Sequence, residues 1–185
     1  MRPGLAAAAA LLLASSLAQA HVTRPLGRAA KAQRGERASP LWEDREGAFA
    51  LARPDGGRWA FRSGVEGPDG KPVPLLARSQ ESGAQVVVQS TDVVGDLRRL
   101  ARMLSENLAN EDRVHVEEIE EVLARGGEAY AFGFSVADQV RGRVAVVRTG
   151  AHVALVIASW PFGASADVSD DIAAMIGSLG PIGER

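Results

Sequence analysis

The longest regular pattern of apolar and polar residues in the chain runs from Glu128 to Pro161. Its first part, Glu128–Ser135, alternates aromatic residues with alanine and glycine, which is the two-residue period of a β-strand. Two further segments, Gly142–Arg148 and His152–Ser159, are apolar at successive positions and therefore on both faces. Because a strand that is apolar on both faces is covered on both faces, the pattern predicts a central antiparallel sheet between two layers.

Two amphipathic helices are available to form those layers. Apolar residues recur at helical spacing over Val93–Leu108, and Asp92 precedes them as the predicted N-cap. A second apolar stripe covers Val168–Leu179 and ends before Gly180-Pro181, a sequence that stops a helix. We therefore expect the central sheet to lie between helices.

Four shorter segments upstream have strand character, with turn-forming sequences between them. Ala48–Ala52 and Arg58–Ser63 flank an Arg-Pro-Asp-Gly-Gly turn and are predicted to form a hairpin. Leu75–Gln80 and Ala84–Ser90 are predicted to form another hairpin around a Glu-Ser-Gly turn. The segment Gly64–Pro74 is dominated by glycine and proline and is predicted to be a loop.

The segment Arg113–Arg125 fits two kinds of element. Four apolar residues at helical spacing favour a helix that ends at Gly126, whereas the run Val114-His115-Val116 favours a strand. A short apolar pattern cannot decide between the two, so the residues alone leave both open.

The first 20 residues have the pattern of a secretory signal peptide. Arg2 provides a positive start, Leu5–Leu17 is apolar, and Ala18-Gln19-Ala20 is a small-x-small cleavage site. The apolar run is shorter than the ~20 residues that span a bilayer, and no later stretch is apolar for long enough. The mature protein is therefore expected to be periplasmic or secreted, without a membrane-spanning segment.

Residues 21–45 are predicted to form a flexible basic tether, because they lack a consistent apolar face. The residues that make the segment basic are Arg24, Arg28, Lys31, Arg34 and Arg37. Such an arm is suited to touch anionic lipid headgroups or an acidic partner. The folded domain is predicted to occupy residues 46–181.

Composition narrows the classes of function. The 185 residues carry a formal net charge of −2, which does not suggest a nucleic-acid partner. Cysteine is absent, so disulfides, thiolate metal sites, cysteine nucleophiles and lipid-anchored cysteines are excluded. The hydrophobic fraction of 46% is that of an ordinary globular domain with a core.

The candidate catalytic residues do not form a recognisable set. His115 and His152 are the histidines of the predicted domain, and no Gly-x-Ser-x-Gly elbow accompanies them. The four glutamates between Glu117 and Glu121 could supply an acid and a base. Glutamates bunched in one element, however, more often form a charged edge that prevents pairing with other chains. We therefore predict a protein without catalytic residues or a cofactor.

Metal chemistry has two candidate locations. Cleavage after Ala20 would give His21 a free α-amine, which together with its imidazole can chelate copper. No second histidine is expected to converge on it, so no metal site is predicted there. The second location is the group of aspartates Asp167, Asp170 and Asp171 at the start of the last helix. Helix capping and compensation of the helix dipole explain these residues without a metal.

The order of the elements, several strands, a helix, a strand meander and a final helix, resembles the PsbP-like and Mog-type α/β/α sandwich family. This family includes exported bacterial proteins of the DcrB and LpqN types. The resemblance covers Gly47–Pro181 and rests on LRRLARMLSENL, DDIAAMIGSL and GRVAVVRTGAHVALVIASWP. It implies an α+β fold with a central antiparallel sheet sandwiched between helices, and a strand at Val114–Leu123. Family functions range over protein binding, scaffolding and envelope maintenance, and a shared fold transfers none of them.

The candidate binding surface is a basic patch on the first helix. Arg98, Arg99 and Arg102 are predicted to lie on its outer face, with Glu106 placed to form an ion pair with Arg102. We expect an exported, non-enzymatic binding or scaffolding module whose partner is a protein of the envelope or the extracellular medium. The alternative is a carrier of lipid or a small molecule that uses an apolar cleft between sheet and helix.

Overall fold

The structure of the protein is a computed structural model that describes residues 41–45, 48–54, 57–66, 72–92 and 95–183. In this part of the chain the strands are β1 (Leu41–Asp44), β2 (Phe49–Ala52), β3 (Trp59–Arg62), β4 (Val65–Glu66), β5 (Pro72–Val73), β6 (Leu75–Ser79), β7 (Gln85–Thr91), β8 (Val114–Val116), β9 (Glu120–Glu121), β10 (Ala129–Val136), β11 (Val140–Thr149) and β12 (His152–Pro161). The helices are α1 (Leu97–Ala109) and α2 (Ala166–Ser178). Within the described residues, neither helix combines the length and the apolar composition needed to cross a bilayer. The predicted signal peptide and residues 21–40 of the predicted tether lie outside the described residues.

A central antiparallel sheet organises the fold, as the sequence predicts. Its strand order is β3-β6-β7-β12-β11-β10-β8, and β9 pairs with β10 beside β8. The long strands β10, β11 and β12 form the meander predicted from the pattern of Glu128–Pro161, with Val146 opposite Leu155 near its centre. The predicted hairpin of β6 and β7 is also confirmed.

Both faces of the sheet are covered, which explains why β11 and β12 are apolar on both sides. On one face, α1 contributes four buried residues to a core shared with β10, β11 and β12: Leu97, Ala101, Leu104 and Leu108. On the other face, α2 and the β1–β2 hairpin cover a second core, to which α2 contributes Val168, Ile172, Met175 and Ile176. The predicted α+β sandwich is therefore confirmed.

The N-cap of α1 is Asp96 and not the predicted Asp92. The side chain of Asp96 accepts a hydrogen bond of 3.0 Å from the backbone nitrogen of Arg99, which satisfies one of the free donors of the first turn. Asp92 instead contacts His152, with 2.7 Å between Oδ1 and Nδ1. Both aspartates precede apolar residues, and the contact with His152 is not visible in a local pattern.

The predicted hairpin between Ala48–Ala52 and Arg58–Ser63 is wrong, although both segments contain a strand. β2 pairs with β1, and β3 pairs with β6. In addition, Ala50 forms a bridge with Gly180, beyond the end of α2. These long-range pairings place β2 beside α2, above the sheet, and so override the local turn signal.

The β1 strand corrects the predicted extent of the tether. Leu41–Asp44 belongs to the segment 21–45, yet it pairs along its whole length with β2. Trp42 packs against the core, and its ring centroid lies 5.7 Å from that of Phe61. The Arg53 guanidinium lies over the Trp42 ring, 5.0 Å from the ring centroid. Charged neighbours conceal this strand in the sequence.

Two segments of irregular pattern contain short strands. The predicted loop Gly64–Pro74 includes β4 and β5, which pair with each other at Val65 and Val73. Val114–Leu123 is extended, as the family resemblance implies, but it is divided into β8 and β9, which both pair with β10. The backbone nitrogen of Glu117 donates to the carbonyl oxygen of Gly133 at 2.9 Å, so the segment follows β10 between its two strands.

Arg125 joins the end of α2 to the rest of the domain. Its guanidinium donates to the carbonyl oxygens of Ser178 at 3.0 Å, Ala50 at 3.2 Å and Pro181 at 3.3 Å. The bond to Ser178 satisfies an acceptor that α2 leaves open at its C-terminal end, and the other two connect the helix end to β2 and to the residues that follow it. The stop predicted at Gly180-Pro181 therefore coincides with a junction of three chain segments.

Candidate functional site

The three arginines that the sequence singles out lie together on the solvent side of α1. Arg98, Arg99 and Arg102 are all exposed, whereas the opposite side of the helix is buried against the sheet. At about 100° per residue, the three side chains fan over an arc of about 100° around the helix axis. We call this surface the arginine face.

Within the described residues, no carboxylate forms an ion pair with the arginine face. Glu106 lies one helical turn beyond Arg102, but the predicted ion pair between them is not formed. Several arginines elsewhere in the described part of the domain do pair with carboxylates. Examples are Arg58 with Asp167 and Asp171, Arg143 with Glu120, and Arg148 with Glu128.

An exposed apolar side chain borders the arginine face. Met103 is 39% exposed, although methionine is a residue that usually fills a core. It follows Arg102 directly and lies one turn beyond Arg99, so charged and apolar groups alternate on this part of the helix. A surface of this composition can contact a partner through both electrostatic attraction and apolar burial.

The two histidines of the domain lie at opposite ends of the sheet. His115 of β8 is paired with Ser135 of β10. Across the intervening strand β11, Ser135 is aligned with Trp160 of β12. Trp160 lies eight residues along β12 from His152, which is about 26 Å at the rise of an extended strand. The histidines therefore cannot act on one substrate atom or one metal ion.

The acidic residues occupy structural positions. The glutamates of 117–121 follow the outer edge of the sheet at β9, where the sequence predicts a charged edge, and Glu120 pairs with Arg143. In α2, Asp167 and Asp171 pair with Arg58 at 3.5 and 3.2 Å. No group of three potential metal ligands is found among the described residues. His21, the copper candidate, lies outside them.

A cleft whose lining residues are not predicted by the sequence lies at the start of α2. Its volume is about 520 Å³, and its walls come from β3, the β6–β7 turn, the loop after β12 and the first turns of α2. The Trp59 indole Nε1 donates to Asp171 at 2.7 Å, and Arg58 contacts the same carboxylate. The spacing of Asp167 and Asp171 placed both on one helix face, but only the fold brings Arg58 to them.

The lining of this cleft is mixed and not apolar. Hydroxyl groups come from Ser79, Ser82 and Ser165, and apolar surface comes from Pro161 and Val168. The side chain of Ser165, the N-cap of α2, forms no capping hydrogen bond. The cleft lies between sheet and helix, as expected for the alternative carrier function, but its walls are of mixed polarity and not apolar as predicted.

Comparison with known proteins identifies the architecture. No protein-family model matches the chain, and no curated protein sequence matches it. The solution structure of cyanobacterial PsbP (CyanoP) from Synechocystis sp. PCC 6803 is similar with a TM-score of 0.55 and 12% sequence identity, over 85% of this chain and 99% of that chain. The fold is PsbP-like.

A second similar structure is that of LpqN, involved in cell envelope biogenesis of Mycobacterium tuberculosis. Its TM-score is 0.47 at 13% identity, over 71% of this chain and 82% of that chain. The PsbP-like fold rests on the similarity to CyanoP, and at 12% identity no activity follows from it, since one fold serves many functions. The finer assignment to Mog, DcrB or LpqN types is not shown.

Proposed function

We propose that the protein is an exported, non-enzymatic binding module of the cell envelope and that the arginine face is its binding surface. The partner is an anionic component of the envelope, a class that includes the protein partner expected from the sequence. One observation carries the proposal: Arg98, Arg99 and Arg102 have no carboxylate partner among the described residues, whereas several other arginines of the domain do.

The chemistry of the guanidinium group favours an anionic partner. Arginine remains charged at all physiological pH values and presents five N–H donors in a planar fork that fits carboxylate and phosphate groups. Arginine is also enriched among the residues that dominate binding energy at interfaces. The exposed Met103 adds apolar surface beside the charges.

The positions of the titratable residues favour a role without catalysis. A hydrolytic triad needs its nucleophile, base and acid within hydrogen-bond reach, and the two histidines are at opposite ends of the sheet. His152 is engaged with Asp92, and Glu120 with Arg143. The other glutamates of the cluster, Glu117, Glu118 and Glu121, are exposed, so none has the buried environment in which glycosidase acids work.

Export rests on the N-terminal sequence and has a direct test. The Ala18-Gln19-Ala20 site places the first residue of the exported form at His21. N-terminal sequencing of protein from the periplasm or the medium checks this. Recovery of the whole chain in the cytoplasm, with Met1 retained, would contradict it.

Site-specific photo-crosslinking tests the binding surface. A photoreactive amino acid at position 103, beside the arginine face, is expected to crosslink to an envelope component in cells. The same amino acid at position 173, an exposed alanine of α2 on the other face of the sheet, serves as the matched control. Substitution of all three arginines by glutamine should abolish the product at 103. An unchanged product, or equal products at both positions, would show that the arginine face does not bind.

A second candidate function, carriage of a small molecule, is favoured by the cleft at the start of α2. Its volume of about 520 Å³ lies in the range of ligand pockets, and serine hydroxyls and apolar groups converge in it. Mass spectrometry of extracts from the purified protein tests this function. A stoichiometric compound that is lost when Val168→Trp fills the cleft would establish it, and its absence from native preparations would count against it.

A further inference from the structure

Three side chains form a compact cluster beside the edge strand β3. Trp42 lies on β1, Arg53 directly follows β2, and Phe61 lies on β3. The guanidinium carbon of Arg53 is 5.0 Å from the Trp42 ring centroid and 5.4 Å from the Phe61 ring centroid. The two ring centroids are 5.7 Å apart. The guanidinium therefore contacts both rings at once, and we call this group the Trp42–Arg53 cluster.

The surrounding elements hold the cluster in place. β1 pairs with β2 along its whole length, and the backbone nitrogen of Ala52 donates to the Ser178 hydroxyl at 2.8 Å, which holds the end of β2 against α2. Trp42 and Phe61 both pack against the core that α2 covers. Attraction between the cation and the faces of the two rings keeps the Arg53 guanidinium beside them.

Two N–H donors of this cluster are buried without an acceptor. The indole Nε1 of Trp42 and the Nε of Arg53 form no hydrogen bond. Arg53 also has no carboxylate partner among the described residues. Most buried donors in folded proteins are paired, because an unpaired donor has lost its hydration without compensation. Two unpaired donors in contacting side chains therefore indicate that a group from outside these residues accepts from both.

The domain shows elsewhere which acceptor suits this pair of donors. Trp59 and Arg58 are the same two residue types, and both bind the carboxylate of Asp171. The Trp59 Nε1 donates to one oxygen at 2.7 Å, and the Arg58 guanidinium donates to the other at 3.3 Å. Trp42 and Arg53 present the same donors without a carboxylate of the described residues between them.

We propose that the Trp42–Arg53 cluster is a binding site for a carboxylate group that a ligand supplies. One carboxylate oxygen accepts from the Trp42 indole N–H, and the other accepts from the Arg53 guanidinium, including its Nε–H. This site lies beyond the proposed function, since it contains no residue of the arginine face and none that lines the cleft at the start of α2.

The charge of the cluster favours a carboxylate over a phosphate. Arg53 supplies a single positive charge, which neutralises a carboxylate but not a phosphate, whose charge at neutral pH is about −1.5 to −2. Asp44 is two residues from Trp42 on β1 and therefore on the same side of the strand. Its negative charge further disfavours a dianion. The two aromatic rings exclude water, which strengthens the hydrogen bonds of a bound carboxylate.

The cluster is within reach of a ligand. Trp42, Arg53 and Phe61 are each half-buried, so the side chains reach the surface although the two unpaired nitrogens are covered. A rotation of the long Arg53 side chain opens both donors to a carboxylate at the edge of the cluster. The rings remain packed on the core during this movement.

Nuclear magnetic resonance observes both donors directly. The chain has three tryptophans, and the indole N–H signal that disappears in Trp42→Phe belongs to Trp42. Sodium acetate should move this signal and the Arg53 Nε–H signal with one dissociation constant, whereas sodium chloride at the same ionic strength should not. The Trp59 indole, which already donates to Asp171, should stay in place as the internal control. If acetate and chloride have the same effect on the Trp42 signal, water is the acceptor and the proposal is wrong.

Two variants test the roles of the donors. Trp42→Phe keeps an aromatic ring but removes the N–H, and acetate binding followed at the Arg53 Nε–H should weaken at least about tenfold, as for the loss of a hydrogen bond to a charged group. Arg53→Lys keeps the charge but removes the planar fork, so the Trp42 signal should no longer respond. Arg62→Lys, at an exposed position next to Phe61, is the matched control and should bind acetate normally. Equal losses in Arg53→Lys and Arg62→Lys would overturn the assignment, and the titration of the wild-type protein stands even if a variant does not fold.

The carboxylate can come from a small organic acid or from the C-terminus of a peptide, and the same titration separates these sources. Tighter binding of N-acetyl-glycyl-glycine than of acetate would identify a peptide terminus, and similar binding of the two would identify a small organic acid. Either result supports a carboxylate site. The amide of the same peptide should not bind, and inorganic phosphate should bind more weakly than acetate. Binding of the amide as tight as that of the acid, or a response to phosphate without one to acetate, would overturn the proposal.

Discussion

The indole nitrogen of Trp59 donates a hydrogen bond of 2.7 Å to a carboxylate oxygen of Asp171. This bond joins β3, an edge strand of the sheet, to the second turn of α2. The Asp171 side chain is only 16% exposed, and Arg58 approaches the same carboxylate at 3.2 Å. The contact therefore fixes the helix on the sheet and forms one wall of the cleft.

Replacing Asp171 should destabilise the domain more than replacing its neighbour. Asp171→Ala leaves the Trp59 N–H without an acceptor and removes a partner of Arg58, which we expect to cost about 1–3 kcal/mol of unfolding free energy. Asp170→Ala, at an exposed position next to it, should change stability by no more than about 0.5 kcal/mol. Urea unfolding of both variants measures the difference. Equal effects would mean that the Trp59 contact contributes little.

The centre of the sheet should respond to truncation as a closely packed core. Leu155 is 1% exposed and lies on the α1 side of β12, opposite Val146 of β11. Leu155→Ala should cost about 2–5 kcal/mol through lost burial and a residual cavity. Arg98→Ala, on the exposed side of α1, should cost no more than about 0.5 kcal/mol. If urea unfolding finds Arg98→Ala the more damaging variant, the assignment of helix faces is wrong.

The sequence predicts most of the sheet because its longest strands are encoded locally. The segments of β11 and β12 are apolar at successive positions, a pattern that already requires cover on both faces. The solvent side of α1 is predictable for the same reason, because helical spacing puts Leu104 and Arg102 on opposite sides of the helix. Each of these features depends on residues that are close in sequence.

The features that were missed depend on residues far apart in sequence. A strong turn signal follows β2 and predicts pairing with β3, yet the partners of β2 are β1 and Gly180. The cleft and the contact between Trp59 and Asp171 form only when β3 reaches the start of α2. No local pattern contains that information, so the candidate arginine face could be named from the sequence while the second site could not.

Gly142 should be a position where no side chain is accepted. A Cβ atom there would lie 2.0 Å from the ring of Phe134 and 2.7 Å from the carbonyl oxygen of Ala158. Because the backbone oxygen cannot move away, Gly142→Ala should cost at least about 1–3 kcal/mol through overpacking. Gly163→Ala, where a Cβ meets nothing within 4 Å, is the control. Thermal unfolding with similar midpoints for both variants would contradict the close packing at Gly142.

Copper should bind the exported form without stabilising its fold. Both candidate ligands belong to His21, well before β1, so folded and unfolded chains would bind the ion equally. The thermal midpoint should therefore stay the same with and without copper, and His21→Ala should remove the binding. A clear rise of the midpoint with copper would require a second ligand within the folded domain and would reopen the question of enzymatic activity.

The β10–β11 turn should be stabilised by glycine. Ala137 and Asp138 have φ angles of 47° and 55°, and the turn closes with a 2.9 Å hydrogen bond from the Gln139 nitrogen to the Val136 carbonyl oxygen. Two positive φ angles define the tight turn that matches the twist of a hairpin, and asparagine and glycine adopt it more readily than alanine. Alanine in the left-handed region is strained by about 1–2 kcal/mol.

Ala137→Gly should therefore raise the unfolding free energy by about 0.5–1 kcal/mol, because the relief of strain exceeds the entropy that glycine adds to the unfolded chain. Ala151→Gly is the control, since Ala151 lies in the β11–β12 turn but is not among the positive-φ residues. There glycine only adds unfolded-state entropy and should lower stability by about 0.4–1 kcal/mol. Urea unfolding should thus give opposite signs for the same chemical change. Destabilisation by both substitutions would mean that the strain at Ala137 is not relieved by glycine.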